Sequence, residues 1–167
     1  ILNRRILFFI SISCGYWCFF EILNLRLQNW FYVNLPGSAL FRYPGYFLAF
    51  GTVIPAIYLT KTFFHEVVFL NITSTPFRTR HYPSYAVCLG TLSLILAVLF
   101  PAYCFSITWA FAALILDGYN YLKGNRSLMG DLVKGYPGRL FAAMTSVMIC
   151  GVLWETWNYW NVAKWVY

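Results

Sequence analysis

Five stretches of this chain are each apolar over about the length that crosses a bilayer, and this constrains its fold more than any other feature. A membrane-spanning helix needs about 20 mostly apolar residues. Such runs cover residues 6–23, 46–64, 84–101, 103–122 and 140–160. Pro55 predicts a kink in the second, and Pro101 a tight turn between the third and fourth. In hydrocarbon every backbone N–H and C=O must find its partner within the structure, which leaves helices or closed barrels. Runs this long and continuous are helical. The expected fold class is all-α: a polytopic transmembrane helical bundle of about five spans, in one transmembrane domain over residues 1–167. No internal repeat and no low-complexity linker is evident.

Composition agrees with this. Of 167 residues, 60% are hydrophobic and 10% charged, against about 25% charged in a soluble domain. So few charges cannot coat a water-facing surface. The aromatic fraction is 22%, including seven Trp and thirteen Tyr, rings that favour the headgroup level of a bilayer. The net charge of +7 comes from twelve basic residues with no cluster longer than Arg4-Arg5. The basic footprint of a nucleic-acid binder is missing, so no nucleic-acid partner is expected. The cysteines, Cys14, Cys18, Cys88, Cys104 and Cys150, all lie in apolar runs without a C-x-x-C pair. They read as small, reduced hydrophobes. Arg4-Arg5 before an apolar run resembles the opening of a signal peptide, but no small-x-small cleavage site follows. The run reads as a retained first helix.

The basic residues set an expected orientation. With the N-terminus inside, Arg4, Arg5, Lys61, Arg78, Arg80, Lys123, Arg126, Lys134 and Arg139 fall on or near the inner side. Arg26, Arg42 and Lys164 fall outside. Nine against three is a positive-inside bias, giving an inner N-terminus and an outer C-terminus. Residues 24–44 mix apolar, aromatic and amide side chains and are expected to lie in the outer interface. Residues 123–139, rich in Gly, Lys and Arg, read as a flexible inner loop near anionic headgroups.

Only five acidic residues occur, and Glu21, Glu66, Asp117 and Glu155 lie in or against the spans. An ionised carboxylate there needs a partner or a polar cavity. The topology sorts them into two layers. In the outer layer, Glu21 and Asn24 share a helix face at i, i+3, as do Glu155 and Asn158, and Trp154 and Trp157. Two carboxylates with amides, walled by Trp30, Trp154 and Trp157 and with Lys164 nearby, suit a lipid headgroup. A carboxyl of raised pKa there suits general acid catalysis. Glu21 and Glu155 are thus the catalytic candidates, and Asn24, Trp30, Trp154, Trp157, Asn158 and Lys164 the ligand- or lipid-binding candidates. The competing reading pairs Glu21 and Glu155 with Arg26, Lys164 or Trp N–H groups, locking the bundle. The aromatic residues of the last helix likewise fit an interfacial belt or the wall of a pocket for an isoprenoid or pigment.

The inner polar cluster comprises Lys61, His65, Glu66 and Asp117, with Lys61 and His65 one turn apart. It reads as a charge network between helices, or as a proton relay. No cofactor and no metal is expected. His65 and His81 are the only histidines, too few for a His-rich di-iron oxygenase. A bis-histidine haem, or a Zn site from His65, Glu66, His81 and Asp117, has nothing more behind it than residue type. No phosphate-binding Gly-rich loop, nucleophile elbow or H-E-x-x-H occurs.

The segments Phe20-Glu21-Ile22-Leu23-Asn24 through Trp30-Phe31-Tyr32-Val33, and Trp154-Glu155-Thr156-Trp157-Asn158-Tyr159-Trp160 followed by Lys164-Trp165-Val166-Tyr167, carry a resemblance. The chain is similar over most of its length to a family of small uncharacterised bacterial polytopic membrane proteins with a C-terminal W-E-x-W-N-Y-W…K-W-x-Y signature. The resemblance implies the polytopic fold and a bacterial inner (cytoplasmic) membrane, and no catalytic residue. Members of that family continue past the equivalent of Tyr167, which implies further chain there. Acid plus aromatics at helix ends also resemble membrane carotenoid cyclases, whose defining motifs are absent.

Three functions remain open on sequence. The first is a non-catalytic or scaffold subunit of a membrane complex, in contact with membrane lipids, pigment or helices of other subunits. The second is an intramembrane enzyme acting on a lipid or isoprenoid, with Glu21 and Glu155 as acid–base pair. The third is a small proton-coupled transporter, against which the lack of inverted repeats counts.

Overall fold

The computed structural model describes residues 4–77, 79 and 81–167, Arg5 by its backbone alone. Its helices are α1 (Arg4–Leu27), α2 (Ala39–Phe64), α3 (Tyr82–Leu99), α4 (Pro101–Cys104), α5 (Thr108–Leu122), α6 (Leu128–Val133) and α7 (Gly138–Trp160). Two three-residue strands, β1 (Phe31–Val33) and β2 (Lys164–Val166), pair antiparallel. A π-helical turn, His65–Phe69, continues α2, and a 3-10 turn, Phe105–Ile107, joins α4 to α5. Five helical segments are long and apolar enough to cross a membrane: Ile6–Leu27, Ala39–Phe69, Tyr82–Leu99, Pro101–Leu122 and Gly138–Trp160. The all-α polytopic bundle expected from the apolar runs is the fold observed.

The segment 24–44 is divided rather than independent. Its first residues finish α1, its middle forms β1, and Ala39 to Pro44 already belong to α2. Helix hydrogen bonds do not stop where hydropathy falls, so α1 and α2 both extend beyond their apolar cores.

The chain divides into two compact units, one of residues up to Phe64 with Met144–Tyr167, the other of His65–Ala143. In the first, α1 packs on α2 through Phe9, Ile10, Ser13, Cys14 and Trp17. The Phe9 ring lies 4.7 Å from Tyr58 and the Trp17 ring 6.0 Å from Phe50. Gly51 permits the crossing, because a Cβ there would stand 3.0 Å from Ile10 Cγ2 and 3.3 Å from Cys14 Sγ. Fully buried Ser13 donates to Phe50 O (2.5 Å) and accepts from Ile54 N–H (3.0 Å). Its hydroxyl thus enters the α2 hydrogen-bond ladder beside Pro55, where the ladder lacks a donor.

In the second unit α3 and α5 pack antiparallel through small residues. A Cβ on Gly90 would meet Ile115 Cγ1 at 2.7 Å and Phe111 O at 2.9 Å, and one on Gly118 would meet Ala86 Cβ at 3.1 Å. Without a hydrophobic driving force between helices in lipid, such close backbone approach supplies the attraction.

Residues 123–139 are built rather than loose. Asp117, on α5, accepts from the backbone N–H of Leu128 (2.6 Å) and Met129 (3.1 Å), from Ser127 Oγ (3.1 Å) and from Tyr82 OH (2.6 Å). Ser127 caps α6 by accepting from Gly130 N–H at 3.0 Å. The segment is then pinned by Ser74 N–H to Gly135 O (2.9 Å) and Phe77 N–H to Val133 O (3.1 Å). Gly135 has φ +85°, and a Cβ there would lie 2.5 Å from Ser74 O, so only glycine fits the turn. Glycine and basic side chains read as flexibility in sequence, whereas a carboxylate from the preceding helix fixes the backbone here.

Candidate functional site

Glu21, Asn24, Glu155 and Asn158 all bond to the β1–β2 ribbon or its flanking residues in the first unit. Glu21, six residues before the end of α1, accepts from Tyr32 OH at 2.5 Å and from the Trp30 indole N–H at 3.2 Å, both at Oε1. Asn24 clamps the backbone of the same tryptophan. Its Nδ2 donates to Trp30 O (2.8 Å), and its Oδ1 accepts from the N–H groups of Asn29 (3.0 Å) and Trp30 (3.5 Å). The turn needs Gln28 at φ +52°, a left-handed residue at the helix end.

The end of α7 repeats this arrangement. Glu155 accepts from Tyr167 OH at 2.9 Å, and the Trp165 indole N–H donates to that hydroxyl at 3.1 Å. Asn158 clamps Trp165 as Asn24 clamps Trp30: Nδ2 donates to Trp165 O (2.9 Å) and Oδ1 accepts from Trp165 N–H (3.0 Å). The pattern E-x-x-N…W-x-Y therefore occurs twice, with five residues between Asn24 and Trp30 and six between Asn158 and Trp165.

The strand pairing makes the two copies a single object. The register sets Phe31 against Val166, Tyr32 against Trp165 and Val33 against Lys164. One further step sets Trp30 against Tyr167, so the copies are related by a local two-fold through the Phe31–Val166 pair. Residues facing each other across a ladder project to the same side. Trp30, Tyr32, Trp165 and Tyr167 hence share one face of the ribbon, and the two Glu–Asn pairs hold that face.

Neither Glu21 nor Glu155 lies within 4.0 Å of a Lys or Arg nitrogen among the described residues, where the ion pairs are His65–Glu66 and Asp131–Arg139. The locking partners are the tyrosine hydroxyls and one indole, in place of Arg26 or Lys164. Burial raises the Tyr32 phenol well above its ordinary value, and the bond to Glu21 raises it further. Tyr167 is raised by burial and then by its bond to Glu155. Both phenols stay protonated and remain donors. Trp30 and Asn158 are buried, Trp154 and Lys164 half-buried, and Trp157 exposed on the opposite side of the last α7 turn. An open recess of about 340 Å³ is lined by Glu155, Asn158, Tyr159, Lys164, Trp165 and Val166.

His65 Nδ1 lies 3.1 Å from Glu66 Oε1, a contact between chain neighbours in the π-turn. Asp117 is occupied as the cap of α6. Among the described residues no group of three or more His, Cys, Asp or Glu is placed to hold a metal ion.

Reading the sequence for acids and tryptophans missed Tyr32 and Tyr167 as the partners of those acids, and missed the repeat. The signal was present: aligning Glu21 with Glu155 brings Asn, Trp and Tyr into near register, apart from one inserted residue. Comparisons with protein-family models, curated proteins and solved structures find no match.

Proposed function

We propose that this chain is a non-catalytic subunit of a membrane complex, set in a bacterial inner membrane with its N-terminus inside, and that α7 receives a spanning helix of a partner subunit. The supporting observation is a difference between the two copies of the repeat. Moving 134 residues along the chain takes Glu21 to Glu155 and Asn24 to Asn158. The same step takes the α1 residues that hold α2, namely Ile10, Ser13, Cys14 and Trp17, to Met144, Val147, Met148 and Gly151. On α1 this face is covered by α2. On α7 it is open, with Met144 57%, Val147 54% and Met148 71% exposed, and nothing within 4 Å of a Cβ on Gly151.

The chemistry of the face suits a helix. Methionine adapts to irregular partners, and glycine in place of tryptophan leaves a notch for a bulky side chain. The expected occupant is an apolar helix antiparallel to α7, as α2 is to α1, with a small residue between Met144 and Met148. The Glu–Tyr clasps also support a structural role, since they already engage the carboxylates an acid–base pair would need free.

A photo-crosslinking side chain at Met148, in native membranes, tests this. The expected product is a discrete adduct with one other membrane polypeptide, lost in Gly151→Leu, at a position where a Cβ meets nothing within 4 Å. Adducts with lipid alone, as expected at outward Phe8, would overturn it. One observation favours the intramembrane enzyme: Glu155 and Lys164 line the same open recess. That reading requires Glu155→Gln to abolish turnover of a lipid while assembly is retained.

A further inference from the structure

We infer that the second unit carries a binding site for a phosphate group at the turn joining α5, α6 and α7, independent of the helix-docking reading. A recess of about 110 Å³ is lined there by Arg126, Lys134, Arg139, Asp131, Asn125 and Ser127, among others. Three cations face one anion, Asp131, whose Oδ1 accepts from Arg139 Nη2 while its buried Oδ2 has no hydrogen-bond partner.

Among the described residues of this unit no other carboxylate is left to neutralise the rest. The chain's acids are Glu21, Glu66, Asp117, Asp131 and Glu155. Glu66 is against His65 and Asp117 is bound to the α6 cap. Glu21 and Glu155 belong to the clasps of the other unit. Among the described residues Arg126 and Lys134 have no carboxylate within 4.0 Å. An excess of two positive charges around a recess of this size matches a phosphate ester. Arg139 retains guanidinium N–H groups beyond the one given to Asp131, and Arg126 adds a second planar fork for phosphate oxygens.

The site is organised before any ligand arrives. The Asp117 cap fixes residues 127–129, and the bonds from Ser74 and Phe77 fix 133–135. The recess therefore loses little conformational freedom on binding. It also sits where two spanning helices end, at Leu122 and Gly138, the level at which lipid headgroups lie. The shared chemistry is a phosphate oxygen cluster, from a phospholipid headgroup or from a soluble phosphate.

The test uses the full chain in phosphatidylcholine nanodiscs, titrated with phosphatidylglycerol and separately with inorganic phosphate, read by native mass spectrometry. One phosphatidylglycerol per chain is expected. The double variant Arg126→Ala/Lys134→Ala should weaken it about thirtyfold, the worth of two surface cations beside anionic headgroups. Both side chains are exposed, so the thermal midpoint in phosphatidylcholine alone should not move. Arg26→Ala, an exposed cation outside the recess, should bind as wild type. Saturable binding of inorganic phosphate, with the same dependence on Arg126 and Lys134, would identify the soluble source. Equal binding by wild type and double variant, or equal loss in Arg26→Ala, would overturn the site in favour of net charge alone.

Discussion

Tyr32 lies directly opposite Trp165 in the β1–β2 pair, so the tyrosine of one clasp meets the tryptophan of the other. The two helix ends are thereby tied by one ribbon, and a defect in either clasp should be felt at both.

Asn158 is buried and makes two hydrogen bonds to the Trp165 backbone. Asn158→Ala leaves a part-buried N–H and C=O without their side-chain partner, at a cost of up to about 1–3 kcal/mol each. Thermal unfolding in detergent should fall several degrees, with faster hydrogen exchange at residues 31–33 as well as 164–166. Protection lost at 164–166 alone would show that the ribbon is not a unit.

Glu21→Gln should be mild and Glu21→Ala severe. Glutamine keeps an acceptor for Tyr32 OH and Trp30 Nε1, whereas alanine leaves two part-buried donors unsatisfied. The expected difference is about 1–3 kcal/mol, read from paired denaturation curves. Equal losses would mean that the carboxylate charge, and not the hydrogen bonds, carries the contribution.

The Tyr32 phenol is raised above its ordinary value of 10.0, by burial first and by Glu21 second. Below pH 10 the phenol is protonated in both folded and unfolded chains, and the clasp contributes fully. Above that the unfolded chain binds fewer protons, so stability falls as pH rises. The advantage of wild type over Tyr32→Phe should therefore be constant up to about pH 10 and shrink beyond it. An advantage that grows above pH 10 would contradict a protonated donor.

Asp117 accepts from four donors, two of them backbone N–H groups of α6. An asparagine side chain at this position offers one acceptor oxygen and turns an NH₂ toward those donors. Asp117→Asn should cost about 1–3 kcal/mol and open residues 123–137 to limited proteolysis. Unchanged resistance to protease would mean that the bonds from Ser74 and Phe77 suffice to hold the turn.

Gly90 tests the small-residue crossing. Gly90→Ala brings a Cβ to 2.9 Å from Phe111 O, a backbone atom that cannot swing away. The expected loss is about 1–3 kcal/mol, as for other overpacked contacts, measured by refolding yield in lipid. A neutral effect would require α3 and α5 to separate freely.

The spans were legible in the sequence because the bilayer imposes a one-dimensional rule: about 20 apolar residues in a row form a helix, whatever lies beside them. Glu21, Asn24, Glu155 and Asn158 were legible as a layer, since polar residues at helix ends stand out against apolar runs. Their chemistry was not. Three-residue strands carry no periodicity to detect, and β1 and β2 lie about 130 residues apart. Only the folded turn after each helix shows that Tyr32 and Tyr167, not Arg26 or Lys164, answer the two carboxylates. The same holds for residues 123–139, whose glycines and cations suggest mobility until Asp117 is seen to cap α6. Local composition was enough to say where the chain becomes helical. Which polar groups meet was set in three dimensions, because the chain must turn back on the helix end before Tyr32, Tyr167 or the α6 backbone can reach its carboxylate.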